Sequence, residues 1–122
     1  MSTNALYIKL ADNSFVPVGI ANPLPIYNSV LSSSYTNKSG TITLGGTAQT
    51  LAAANTSRRG LIVQNLSSGD LWISPFGTAA ASQPSLKIAV GAYWEMPINM
   101  ITSAAISIFG ATTAQAFTAW EA

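Results

Sequence analysis

The stretch GLIVQNLSSGDLWIS, residues 60–74, decides the fold class of this chain. Residues 60–66 form the most apolar strand candidate in the sequence. Residues 67–69 are Ser, Ser and Gly, which are common turn residues, and a second strand candidate follows at residues 70–74. Two short apolar runs joined by a turn predict successive β-strands.

Short strands and turn residues continue on both sides of this stretch. Further strand candidates lie at residues 41–44, 47–51, 85–90, 93–96, 105–109 and 116–120. Gly45 and Gly46 separate the first two, and such a pair predicts a β-hairpin, because a type I′ turn needs positive φ at both central residues. The Ala-rich residues 50–55 are the one helix candidate and are too short to be stable alone. Many short strands with frequent turns predict an all-β fold, an antiparallel β-sandwich or jelly-roll-like domain over residues 36–122.

The first 35 residues have a different texture. Residues 5–10 and 14–16 could each be a short strand, but residues 22–26 read Asn-Pro-Leu-Pro-Ile and cannot lie inside a sheet, because proline lacks the N–H donor. We therefore predict that residues 1–35 form an extended N-terminal arm with a β-rich start. Such an arm could dock on another protein or subunit, with Leu24 and Ile26 as its partner-binding residues.

Composition excludes several mechanisms. The 122 residues contain no Cys and no His, so the chain has no disulfide, no thiol nucleophile, no Ser-His-Asp triad and no ordinary transition-metal site. Only 7% of residues are charged and the net charge is +1, which does not favour nucleic-acid binding. No apolar run is long enough for a membrane helix, and residues 1–10 lack the features of a signal peptide.

The surface must therefore be built from uncharged groups. The chain contains 27 Ser and Thr residues and 19 Ala residues, against 48% hydrophobic residues in all. Free soluble proteins usually keep their net charge away from zero, which limits self-association. One interpretation is a small, neutral, polar-surfaced domain. The composition favours a second one, a subunit whose surface is largely covered by copies of itself or by a larger lattice.

The carboxylates offer little chemistry. They are Asp12, Asp70, Glu95 and Glu121, of which the last two could approach each other as a glycosidase pair. The alternative is that each is a strand-edge or surface charge. The turn at residues 65–70 has too few oxygens for calcium, and no glycine-rich phosphate or nucleophile-elbow motif occurs. We predict no enzyme activity, no metal and no cofactor.

Arg58 and Arg59 are the one local concentration of charge. They could anchor a carboxylate of a partner or of a neighbouring subunit, because a guanidinium binds a carboxylate through two parallel hydrogen bonds. The alternative is a solvated start of the strand at Gly60, with an ion pair to Glu95 or Glu121. Both interpretations stay open on the sequence.

The aromatic residues also have two interpretations. They could form a platform on which sugar rings stack, or they could fill the core or a subunit interface, which is the more common role. The alternation of the strands places Trp72 on the face opposite Leu71 and Ile73. The residues concerned are Trp72, Tyr93, Trp94, Phe109 and Trp120.

Taken together, several segments resemble a pattern found in small virion structural proteins of tailed bacteriophages. The segments are NTSRRGLIVQN at 55–65, DLWI at 70–73, GTAA at 77–80, GAYWE at 91–95, AISI at 105–108 and FTAWE at 117–121. The resemblance covers roughly residues 50–122. It implies a β-sandwich used as a building block, expected to be a trimer, with no catalytic residues to carry over. Related domains occur as head decoration or cement proteins and within tail or fibre components.

These observations lead to one functional prediction. The chain is expected to be a non-enzymatic bacteriophage virion structural protein, a capsid decoration or cement protein that binds the major capsid protein lattice as a homo-oligomer. It would be located in the virion after assembly in the host cytoplasm, without nucleic-acid or membrane partners. Two alternatives stay open: a tail, fibre or head–tail component, and a receptor-binding tip domain that recognises host glycans.

Overall fold

A computed structural model describes residues 34–122 and, of the preceding chain, the backbone of residues 7–9 and 15–17. The regular structure of these residues is β, apart from one 3₁₀ turn at Ile98–Met100. The all-β class is therefore confirmed. The strands are β1 (Tyr7–Lys9), β2 (Phe15–Pro17), β3 (Thr36–Asn37), β4 (Gly40–Thr41), β5 (Gln49–Ala52), β6 (Leu61–Asn65), β7 (Leu71–Ser74), β8 (Leu86–Ile88), β9 (Tyr93–Glu95), β10 (Ile106–Gly110) and β11 (Ala116–Glu121).

The chain divides into two units, Met1–Val30 and Leu31–Ala122. In the first, β1 and β2 pair in antiparallel fashion, with Ile8 opposite Val16. In the second, nine strands form two antiparallel sheets. Sheet A has the order β5-β10-β7-β8, and sheet B has the order β3-β11-β6-β9, with β4 also paired to β11.

The two sheets share one hydrophobic core, as in a sandwich. The strand alternation explains it: in β6, Leu61, Val63 and Asn65 are buried, whereas Ile62 and Gln64 point to the outer face. Burying one face of each sheet removes the apolar side chains from water, which is the main favourable term in folding. The core residues are Ile42, Leu51, Ala52, Leu61, Val63, Leu71, Ile73, Ile88, Met96, Ile106, Ile108, Phe117 and Ala119.

The predicted hairpin around Gly45 and Gly46 is wrong. The chain does turn there, with φ +81° at Gly46, but β4 pairs with β11 in sheet B while β5 pairs with β10 in sheet A. The physical reason is Ile42, which is fully buried between the sheets and draws the chain across the sandwich. Its N–H donates to the carbonyl of Gln115 at 2.9 Å, so the segment is bound to the β10–β11 turn.

The other predicted elements differ from the observed strands mainly at their ends. The helix candidate at residues 50–55 is not a helix: its first three residues belong to β5, and residues 53–55 have no regular structure. The strand predicted at residues 85–90 ends at Ile88. It stops because residues 89–92 make a turn to sheet B in which Gly91 has φ +75°, a conformation that glycine adopts readily.

Candidate functional site

Arg58 lies inside the domain. It stands on the connection from β5 to β6, and its side chain has no exposed surface. Its Nε donates to Glu121 Oε2 at 2.7 Å. Its Nη1 donates to the carbonyls of Thr102 and Ala104, and its Nη2 donates to the carbonyl of Ala53, all at 2.7 Å. We call these five residues the Arg58 clasp.

Strand alternation explains why the clasp forms. Glu121 follows Phe117 and Ala119 on the inward face of β11, so the carboxylate is buried and requires a cation. Arg58 supplies it, and Lys38 Nζ lies 3.8 Å from the other carboxylate oxygen. The same alternation in residues 116–121 could have identified Glu121 as an inward carboxylate from the sequence.

The clasp decides between the two interpretations of Arg58. Its guanidinium binds within the domain and is screened from solvent, so the ion pair with Glu121 is the arrangement observed. Arg59, next along the chain, is exposed, and its backbone N–H donates to the carbonyl of Ala122 at 2.6 Å. A partner-binding role for Arg59 stays a prediction. Leu24 and Ile26 lie outside the described residues.

The two candidate glycosidase carboxylates do not meet. Glu95 is exposed and stands opposite Ile62 on the outer face of sheet B, whereas Glu121 points inward from the same sheet. The sheet separates them, so they cannot flank one glycosidic bond. Asp70 lies on the surface, 4.0 Å from Lys87, and Asp12 is outside the described residues. Within the described residues no cluster of three or more acidic side chains could hold a metal ion.

The turn at residues 65–70 is closed by its own hydrogen bonds. Asn65 is fully buried, and its Nδ2 donates to the carbonyls of Gly69 and Ile88 at 2.8 and 2.9 Å. Its Oδ1 accepts from the backbone N–H and the hydroxyl of Ser67, at 2.9 and 2.7 Å. Asn65 thus fixes the β6–β7 turn against the end of β8. The arrangement is structural and leaves the carboxamide oxygen committed to Ser67 rather than to a cation.

The five aromatic residues considered as a sugar platform lie in three different places. Trp72 and Phe109 are opposite each other on the outer face of sheet A, both half-buried. Trp94 is half-buried and packs against the core. Only Tyr93 and Trp120 are strongly exposed, and both lie on the outer face of sheet B. A single platform of all five residues is therefore wrong.

Tyr93 and Trp120 border a shallow hollow of about 150 Å³. Its floor is formed by Ile62, Gln64 and Thr118, from the central strands β6 and β11. The ring of Tyr35 lies against Trp120 with centroids 6.4 Å apart and planes inclined by 50°. The sequence does not indicate Tyr35 as part of this site, because nothing in the local pattern shows that the chain before β3 passes Trp120.

Comparison with known proteins adds no family. No family model, no curated protein and no solved structure matches the chain. No helix among the described residues is long and apolar enough to span a membrane. The candidate site is therefore defined by the geometry alone: a buried clasp that holds the domain together and an aromatic hollow that faces outward.

Proposed function

We propose that the protein is a non-enzymatic structural component of a bacteriophage virion. In this proposal it is a decoration or cement protein that binds the lattice of the major capsid protein as a homotrimer. Residues 36–122 would supply the folded block, and the arm at residues 1–35 would contact the capsid or a neighbouring subunit. The sequence resemblance over residues 50–122 supports this assignment, and so does the distribution of charge in the domain.

The observation that carries the proposal is the scarcity of charge on the outside. Among the described residues, Arg58 and Glu121 neutralise each other in the interior, with Lys38 beside them. Large apolar side chains are nevertheless exposed at both ends of the sandwich. Leu44, Leu66 and Val90 lie at one end, and Phe76, Ile98 and Met100 lie at the other. A surface with so few charges suits a subunit that is covered by copies or by a lattice.

We further propose jelly-roll connectivity for the domain. Sheet B takes β3, β4, β6, β9 and β11, whereas sheet A takes β5, β7, β8 and β10, so the chain repeatedly crosses between sheets. If β3 and β4 count as one interrupted edge strand, eight strands form two four-stranded sheets, as in double Greek-key jelly rolls. This architecture is common in viral capsid domains and in lectins, so it supports a virion role without specifying the position in the particle.

Co-sedimentation tests the proposal. Purified protein is mixed with empty shells assembled from the major capsid protein of the same phage, and its solution mass is measured by light scattering. We expect binding to saturate at a fixed ratio of trimers to capsid sites, and we expect a trimer in solution. Absence of saturable binding would overturn the decoration role and transfer the assignment to the tail, fibre or head–tail alternatives.

A further inference from the structure

We propose that the outer face of sheet B carries a binding site for a neutral saccharide, in the hollow between Tyr93 and Trp120. This site would give the protein a recognition function in addition to its structural role. It does not depend on whether the domain sits on the head or on the tail of the particle. The residues that form it all belong to the sheet, so it is a site on a rigid surface rather than at the loops.

The strand register places the two rings at a useful separation. Trp120 stands opposite Ile62, and Gln64 stands opposite both Thr118 and Tyr93. Trp120 and Tyr93 are therefore two strands apart and offset by two residues, which puts their Cα atoms about 12 Å from each other. Both side chains rise from the face, with 52% and 63% of their surface exposed, while Ile62 between them is half-buried. The rings form two walls with a lower floor.

The floor and walls offer the groups that a sugar ring requires. One face of a pyranose is lined by C–H groups, which pack on an aromatic ring, and its hydroxyls both donate and accept hydrogen bonds. Gln64 contributes a carboxamide and Thr118 a hydroxyl, so the floor can donate and accept in turn. Glu95, exposed beside Ile62 on the same face, adds an acceptor for hydroxyl donors. A few convergent polar groups within an apolar hollow are typical of small-molecule sites.

The charges favour a neutral ligand. The basic residue nearest in sequence to this sheet's edge strands is Lys38, whose ammonium is directed to Glu121 at 3.8 Å. The exposed carboxylate of Glu95 lies on the face itself, opposite Ile62, and Arg59, which is also exposed, comes two residues before β6. A phosphate or an acidic sugar beside Ile62 would meet the like charge of Glu95, whereas a neutral hexose would not.

The polar floor also disfavours an apolar protein surface as the occupant. A second copy packed on this face would have to bury the Gln64 carboxamide and the Thr118 hydroxyl, and an unpaired buried polar group is costly. The pairing of Tyr35 with Trp120 restricts the indole before any ligand arrives. Restricting a binding group beforehand lowers the entropy lost on binding.

Tryptophan fluorescence titration with defined oligosaccharides tests the site. The probes are maltohexaose, cellohexaose and N-acetylchitohexaose, with a polysialic acid fragment as the anionic comparison. We expect at least one neutral probe to bind saturably, and we expect Trp120→Ala and Tyr93→Ala each to weaken that binding about tenfold or more. Because Trp120 is also the reporter, binding to its variant is read by ligand-observed NMR.

Matched controls make the result decisive. Phe76→Ala removes another strongly exposed ring, outside the hollow, and should leave saccharide binding unchanged. The proposal is overturned if no neutral probe binds, if the anionic probe binds more tightly, or if Phe76→Ala weakens binding as much as Trp120→Ala. It is also overturned if Trp120→Ala changes the solution mass of the protein and leaves saccharide binding unchanged. Capsid co-sedimentation is measured separately, so loss of one function is distinguishable from loss of the other.

Discussion

At the scale of single residues, the Arg58 clasp makes the sharpest energetic prediction. Arg58→Met removes the buried cation, leaves the buried Glu121 carboxylate with only the longer contact to Lys38 at 3.8 Å, and takes the donor away from three backbone carbonyls. Breaking a buried pair by removing one partner destabilises by about 3–5 kcal/mol. Since a domain typically has about 5–15 kcal/mol of stability, the variant should unfold at a much lower urea concentration or fail to fold.

A matched surface pair provides the control for this prediction. Asp70 and Lys87 lie 4.0 Å apart with about half of each side chain exposed, so Asp70→Asn should change stability by less than about 1 kcal/mol. Glu121→Gln removes the negative charge but keeps a hydrogen-bond acceptor for Arg58, because the Gln side-chain oxygen can accept from its Nε. It should be less destabilising than Arg58→Met. Equal urea midpoints for all three variants would show that the clasp contributes nothing.

Gly110 carries a second prediction at this scale. A Cβ built there would lie 2.5 Å from Gln115 Oε1, 2.8 Å from Ile42 Cγ1 and 2.9 Å from Leu71 Cδ2. Gly110→Ala should therefore destabilise by about 1–3 kcal/mol, the usual range for an overpacked core. Gly60→Ala is the control, since nothing lies within 4 Å of its Cβ position. A thermal denaturation series that ranks Gly60→Ala as the more damaging change would contradict the close packing.

At the scale of strands, the sequence predicts where strands lie better than which sheet they join. Alternation and turn residues located the runs around β6, β7, β10 and β11, because burying one face is a local pattern. The hairpin prediction at Gly45 was wrong because the sheet that a strand joins depends on long-range contacts. Here these are the burial of Ile42 in the core and its hydrogen bond to Gln115. The Arg58–Glu121 pair was one of two open alternatives, since 63 residues separate its members.

The side chain of Gln49 connects β5 in sheet A to residues 41–43, at and just after β4 of sheet B. From β5 in sheet A, its Oε1 accepts from the N–H of Thr43 at 2.7 Å and its Nε2 donates to the carbonyl of Thr41 at 3.0 Å. Gln49→Ala should destabilise by about 1–3 kcal/mol, because two hydrogen bonds are lost. It should also speed amide exchange at Thr43. Gln64→Ala, an exposed Gln on the outer face of sheet B, should do neither.

At the scale of the whole molecule, we test whether the sandwich folds by itself and whether the proposed arm is needed only for docking. The hydrophobic core of the described part is formed by residues between Ile42 and Ala119, and β3 begins at Thr36. A chain that lacks residues 1–33 keeps all of these groups, together with the Tyr35–Trp120 contact. It should therefore unfold cooperatively in urea, as a single domain with its own core is expected to do.

The same truncation should abolish binding to capsid shells, because the proposed function assigns docking to the arm. A lattice presents many sites, so in the proposed trimer a modest contact from each arm can produce tight binding, and loss of that contact removes the avidity as well. Leu24→Ser combined with Ile26→Ser in the full chain tests the same contact without shortening it and should weaken co-sedimentation at least tenfold. If the truncated chain still saturates the shells, the sandwich is the docking element, and Arg59 becomes the first residue to replace.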